Sequence, residues 1–243
     1  MPYFLLLIFA LSPSLIWLLF FLRKDAHPES KWEIIKIFFY GMLIALPAVL
    51  IEIGIFEELR WLASLFSLSS TFLIVISSLN IFLAAAFVEE ILKYLVVREK
   101  VLNNPEFDEP TDAMLYMIIA ALGFAAFENV LVLLPLGSAF MIKGALTLSL
   151  LRFAGATFLH ALCSGLVGYF LALSFFIAKR RSSLIFGGLG IAVLLHTLYN
   201  FSIITIGDNK RFIIPGLILI TLAIIVSFGF KKLKGLSSIC KIK

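Results

Sequence analysis

Residues 77–97 read SSLNIFLAAAFVEEILKYLVV. A run dominated by Leu, Ile, Val, Phe and Ala has the composition of a membrane-spanning helix, which needs about 20 such residues. Yet FVEEILK, residues 87–93, places two glutamates and a lysine inside it. Ionisable side chains are costly in hydrocarbon; they face a bundle interior or a wet cavity and by default mark a functional site. This stretch decides the fold class: a helix bundle in lipid whose interior is polar at one place.

The rest of the composition agrees. The 243 residues are 62% hydrophobic and 14% charged, against about 25% charged in a soluble domain. A soluble fold is hard to sustain on those figures. The formal charge of +5 is modest and forms no aromatic-interleaved basic patch, so no nucleic-acid partner is expected. Cys163 lies in an apolar segment and Cys240 in the basic tail, which argues against a disulfide framework or a cysteine metal cluster. The first 22 residues lack a basic leader region and read as a first membrane helix rather than a removed signal peptide.

Outward from residues 70–97, further spans are expected at about 2–22, 34–54, 112–136, 151–178, 184–205 and 212–230, seven in all. Residues 138–150 form either an extension of the fifth span or a separate short helix, which makes eight. The stretch 55–69 is charged and short, and reads as an interfacial turn of helix. Residues 98–111 are polar, hold two prolines and read as a loop. The whole chain, 1–243, is expected to be one membrane domain with its motifs between 70 and 205.

Alternate connections carry Arg23/Lys24/Lys31, Arg98/Lys100, Lys179/Arg180/Arg181 and Lys231/Lys232/Lys234. The intervening ones carry only Arg60, Lys143 and Lys210/Arg211. The positive-inside rule then places the N-terminus outside and the C-terminus in the cytoplasm. Arg152, near the outer end of its span, is an exception.

Polar residues at membrane depth are few. They are Asn80, Glu89, Glu90 and Lys93; Glu128 and Asn129; Arg152, His160 and Ser164; and His196 and Asn200. The remaining histidine, His27, falls in a loop. Glu89 and Lys93 are four apart and can pair, whereas Glu90 points roughly 100° away from Glu89. Arg152, Ala156, His160, Ser164 and Gly168 form a stripe of small and polar side chains, the kind of face that packs closely against other helices. Asn80 reads as structural, and Asn129 and Asn200 also suit plain interhelical bonding.

Glutamates and imidazoles meeting in a low-dielectric cavity suit hydrolysis. A glutamate serves as general base toward water, a histidine shuttles a proton or supports an oxyanion, and an asparagine adds a neutral donor. A second chemistry is a Zn²⁺ held by Glu128, His160 and His196, which activates the water itself. No HExxH motif is present, so spacing gives no support for metal. A transporter uses the same residue types for protons or cations, but no inverted repeat is visible.

EEILK at 89–93, GFAAFEN at 123–129, FLHALCSGLVGY at 158–169 and HTLYN at 196–200 together resemble the PrsW-type intramembrane proteases, relatives of the CAAX prenyl endopeptidases and the bacteriocin-immunity-type proteases. The resemblance covers roughly residues 80–205. It implies a bundle of seven or eight helices around an intramembrane cavity, with Glu89, Glu90, Glu128, His160 and His196 as catalytic residues. Lys93, Asn129, Asn200 and Arg152 support them. The wider superfamily commonly has Arg where this chain has Lys93 and His where it has Glu128, which favours the PrsW branch. The implied reaction is a first, regulatory cut in a membrane protein such as an anti-sigma factor, in a prokaryotic cytoplasmic membrane. Cleavage of lipid-modified CAAX tails is the alternative. The family is described as metalloproteases, while its prenyl-processing relatives resemble enzymes with a glutamate-activated water and no obligatory metal, so Zn²⁺ stays open.

Overall fold

A computed structural model describes residues 3–25, 28–65, 70–136, 142–206 and 212–236, with side chains described outside 63, 65–81 and 136. His27, Lys210, Arg211, Cys240, residues 138–141 and the side chain of Asn80 lie outside the described set. The described residues form eight α-helices and no strand. They are α1 Tyr3–Leu22, α2 Lys31–Leu65, α3 Ser70–Lys100, α4 Pro110–Leu133, α5 Ile142–Ala154, α6 Ala156–Phe176, α7 Arg181–Thr205 and α8 Ile213–Leu233. Among them, six units are long and apolar enough to cross a membrane, with α5 and α6 counted as one. The described part of α3 holds Glu89, Glu90 and Lys93 and is not among the six.

The helix α4 is the axis of the bundle. Residues 110–126 are buried without a break, and α1, α2, α3, α6 and α8 pack around them. A helix apolar on every side buries every side. The outer helices instead turn Leu7, Leu15, Leu19, Leu50, Phe228 and their like outward, as lipid-facing surfaces do. The start of α4 is set by Pro110 at its first turn and by Asp112, whose carboxylate accepts the backbone N–H groups of Asp108 and Glu109 at 3.0 and 2.7 Å.

Two glycines let α2 reach α4. A Cβ on Gly41 would stand 2.1 Å from the Ala120 carbonyl oxygen, and one on Gly123 would stand 2.0 Å from that of Phe38. Backbones can meet this closely only where a residue has no side chain. Gly168 plays the same part between α6 and the backbone of α4 at Ala113 and Met114.

The span expected to end at residue 54 and the interfacial turn of helix expected after it are one helix: α2 runs on through Leu65. Glu57, Glu58 and Arg60 are exposed and carried on helix. Charge bars a segment from lipid but not from helical conformation, so the helix outlasts its apolar part. The short helix left open at 138–150 is separate: α5 covers 142–154 and meets α6 at Gly155.

One end of the bundle gathers the basic residues. Lys100 Nζ lies 5.1 Å over the Tyr40 ring, Phe21 stacks on Phe230 at 6.5 Å, and Phe107 of the α3–α4 connection meets Phe175 at 5.6 Å. These contacts bring Arg23/Lys24, Arg98/Lys100, Arg180/Arg181 and Lys231/Lys232 to a common level.

Candidate active site

Four helices bring their polar residues to one point. Glu89 (4% exposed), Glu90 (0%) and Lys93 (0%) come from α3, His160 (2%) from α6 and His196 (1%) from α7, with Phe124 and Glu128 from α4 alongside. Lys93 is the hub. Its Nζ donates to Glu89 Oε2 at 3.1 Å and to Glu90 Oε1 at 2.9 Å, and lies 2.8 Å from His160 Nδ1. The helical angle suggests that the two carboxylates cannot meet. They meet all the same, because Lys93 follows them by four and three residues and its stem lies between their directions.

The network fixes the tautomers. An ammonium has three donors and no acceptor, so His160 Nδ1 accepts from Lys93. Its Nε2 then carries the hydrogen and donates to Glu128 Oε2 at 2.8 Å. His196 Nδ1 lies 3.1 Å from Glu90 Oε1, an acceptor, and therefore carries the hydrogen; Nε2 keeps its lone pair, 3.8 Å from Glu89 Oε2. The two imidazoles meet edge to face, centroids 5.0 Å apart. The Phe124 ring closes one side, 4.3 Å from Lys93 Nζ and 5.7 Å from His160.

The two glutamates differ in what they have left to give. Glu90 accepts from Lys93 and His196 on Oε1 and from Ser164 at 3.0 Å on Oε2, and no part of it reaches the surface. Among the described residues Glu89 takes one hydrogen bond, from Lys93, and His160 Nδ1 lies 3.5 Å away.

Behind His160 stands a second layer. Arg152 Nη2 donates to Glu128 Oε2 at 3.0 Å and Arg152 Nε bonds Asn129 Oδ1. The Asn129 amide donates onward to Thr157 Oγ1 at 3.2 Å. Arg152, the exception to the charge pattern, thus sits where α4 leaves a carboxylate without a sequence-local cation. Two cations, Lys93 and Arg152, face three carboxylates, so the ionised site is negative by one.

One ligand atom from each of Glu89, Glu90, His160 and His196 lies within 4.8 Å of the other three. Two oxygens and two imidazole nitrogens are donors that Zn²⁺ accepts. Lys93 is hydrogen-bonded to three of the four residues, so an ion on this set requires its ammonium to swing aside. Glu128, grouped with the histidines in the sequence reading, stands beyond His160 and outside this set.

Asn200 follows His196 by one helical turn and lines a cavity of about 530 Å³ with Arg152, Gly155, Tyr199, Ile203 and Leu219. The stripe of residues four apart on α6 faces inward: His160 and Ser164 reach the hub, and Gly168 touches α4. Sequence reasoning misses Glu52. It lies in AVLIEIGIF, residues 48–56, where a lone carboxylate among apolar residues is the same signal that marks Glu89 and Glu90. It also misses Thr157, a neutral residue whose partner is on another helix.

The family described as PrsW family intramembrane metalloprotease matches residues 29–228. Among curated relatives, a protease PrsW of Geobacillus kaustophilus is 28% identical over 182 residues, covering 75% of this chain and 72% of that protein. One of Oceanobacillus iheyensis is 28% identical over 191 residues, 79% of each chain. One of Bacillus subtilis is 26% identical over 231 residues, 94% of each. No solved structure matches the chain.

Proposed function

The chain belongs to the PrsW family of intramembrane metalloproteases, and we propose that Glu89 activates the water with which it hydrolyses a peptide bond of a membrane-protein substrate. A hydrolase of this family needs ionisable groups at a point that lipid would otherwise forbid. The convergence of Glu89, Glu90, Lys93, His160 and His196 from three helices is the observation that carries the reading.

Glu89 is the base because it has acceptor capacity left; Glu90 is saturated by three donors and acts as a brace. A water between Glu89 and His196 gives one hydrogen bond to the carboxylate and the other to the His196 Nε2 lone pair. Its oxygen attacks the peptide carbonyl as Glu89 takes the proton, and Glu89 returns that proton to the leaving amine. Asn200, on the His196 face one turn away, is the donor for the oxyanion. His160 positions: it ties Lys93 to Glu128 and holds both in register. Glu89, Glu90, His160 and His196 are the residues that would hold a divalent ion such as Zn²⁺, and such an ion supplies Lewis-acid polarisation and a more acidic water.

The substrate we infer is a single-pass membrane protein, such as an anti-sigma factor receiving a first regulatory cut. The cavity at Arg152 and Asn200, open between α5, α7 and α8, supports entry of an apolar chain from the lipid side. By the positive-inside rule the basic end faces the cytoplasm. His160 and His196 are sixteen and fifteen residues from that end of their helices, or about 22–24 Å at 1.5 Å per residue. Glu89 is eleven residues from the same end of α3, about 16 Å. Together these depths support cleavage near the middle of a hydrocarbon core of about 30 Å. Family membership removes the transporter reading. Cleavage of a membrane-tethered reporter should be lost in Glu89→Gln and in His160→Ala protein that still folds; full activity in both sinks the assignment.

A further inference from the structure

Each peptide bond cut consumes one water, yet the site lies among helices whose outer faces meet lipid. The hub residues are almost fully buried and bonded to one another. The means by which water waits beside Glu89 is therefore part of the mechanism.

Between α2 and α3 lies a pocket of about 250 Å³, open on its outer side where Ile53 and Phe56 are exposed, and lined by Val49, Glu52, Ile53 and Phe56 from α2 and by Ala84 and Ala85 from α3. The space exists because α3 presents alanines here, in a chain otherwise rich in Leu, Ile and Phe. Among the described residues its one polar side chain is Glu52, whose Oε1 is buried and has no hydrogen-bond partner among them. A buried carboxylate oxygen without a protein donor is satisfied by water or is severely penalised. At about 30 Å³ per water, the volume has room for at most about eight, nearest Glu52. An apolar cavity of this size without the carboxylate stays dry.

The cavity adjoins the site. Ala85 and Glu89 are four apart on α3, on one face and separated by a rise of about 6 Å. Glu52 lies within electrostatic reach of Glu89, Glu128 and Lys93. We infer that this cavity is the water reservoir of the active site and that Glu52 is the positioning residue that keeps it wet. The inference rests on hydrolysis at Glu89.

The test combines accessibility with kinetics in full-length protein, in a background with Cys163→Ala and Cys240→Ser. Methanethiosulfonate reagents react with thiolates in water and not with thiols in lipid. Ala85→Cys should be modified by the membrane-impermeant trimethylammonium reagent at least tenfold faster than Leu50→Cys, a lipid-facing position on α2 that is 64% exposed in the isolated chain. Adding Glu52→Leu should slow Ala85→Cys to the Leu50→Cys rate. On cleavage of a reporter, Glu52→Leu should lower kcat at least tenfold with KM unchanged, and Glu52→Gln, whose amide still binds water, should recover most of that loss. Ala85→Cys reacting no faster than Leu50→Cys overturns the proposal, as does wild-type kcat in Glu52→Leu. The comparison of Ala85→Cys with Leu50→Cys needs neither catalysis nor a folded Glu52 variant. A failure of the hydrolytic reading shows instead as no cleavage by the unmodified protein.

Discussion

Replacing Lys93 with methionine keeps the side-chain volume and removes the charge. Three partners lose their donor: Glu89 at 3.1 Å, Glu90 at 2.9 Å and His160 Nδ1 at 2.8 Å. Removing one member of a buried ion pair costs about 3–5 kcal/mol, because the charge left behind is uncompensated. The two carboxylates relieve part of this by sharing a proton, which removes the base as surely as the lost charge removes its alignment. If about 3 kcal/mol falls on the transition state, at about 1.4 kcal/mol per tenfold, kcat/KM drops roughly 10²-fold. The measurements are reporter cleavage and thermal unfolding in detergent, followed through the three tryptophans. Lys93→Arg should fall between wild type and Lys93→Met, since a planar guanidinium keeps the charge but cannot aim three donors as the ammonium does. The same substitution frees the donor set of Glu89, Glu90, His160 and His196. Purified Lys93→Met equilibrated with Zn²⁺ should then carry more metal per chain than wild type under the same free zinc. Wild-type activity and melting in Lys93→Met would refute the ammonium's role as hub.

Gly123→Ala should destabilise the bundle by about 1–3 kcal/mol, because its Cβ falls 2.0 Å from the Phe38 carbonyl oxygen and forces α2 from α4; Gly54→Ala, with nothing within 4 Å, is the matched control in the same melting assay. Arg152→Gln and Glu128→Gln should each reduce cleavage, with the double variant losing less than the sum, because both remove the 3.0 Å pair behind His160. At the basic end, burial pushes the Glu29 carboxyl up to about 7, against the hydrogen bond from Tyr116 and with repulsion from Asp25 and Glu106. An acid raised on folding resists ionisation, so its penalty is absent below about 4.5 and complete above about 7. Melting temperature should therefore fall as pH rises through that window, and Glu29→Gln should remove that part of the pH dependence.

Much of this was legible because the solvent is lipid. Against a background of Leu, Ile and Phe, each of Glu89, Glu90, Lys93, Glu128, His160 and His196 stands out by its cost alone, and the order of motifs completes the argument. What spacing could not supply was partnership across helices. Nothing near Glu128 in sequence announces Arg152, and nothing near Asn129 announces Thr157. Angular reasoning on α3 also treated side chains as short pointers. Two glutamate stems and one lysine stem span the roughly 100° between successive residues, so the carboxylates that diverge at Cβ converge at Nζ. The stretch after residue 54 reads as helical in the sequence too; what the pattern does not show is that it continues α2 unbroken, because Glu57, Glu58 and Arg60 mark where lipid can end and not where backbone hydrogen bonding does. The crossings at Gly41 and Gly123 are visible only once α4 is known to be central.

The hub residues Glu89, Glu90, Lys93, His160 and His196 all sit on helices, none of them on a loop. Such a frame does not bend toward its substrate. A peptide bond in a transmembrane helix has its carbonyl tied four residues onward and its faces covered by side chains. The deformation that exposes it must come from the substrate. Selection then acts on how readily a segment unwinds rather than on which side chains it carries. A glycine or proline placed next to the scissile bond should speed cleavage, and a run of leucines there should slow it, with the enzyme unchanged.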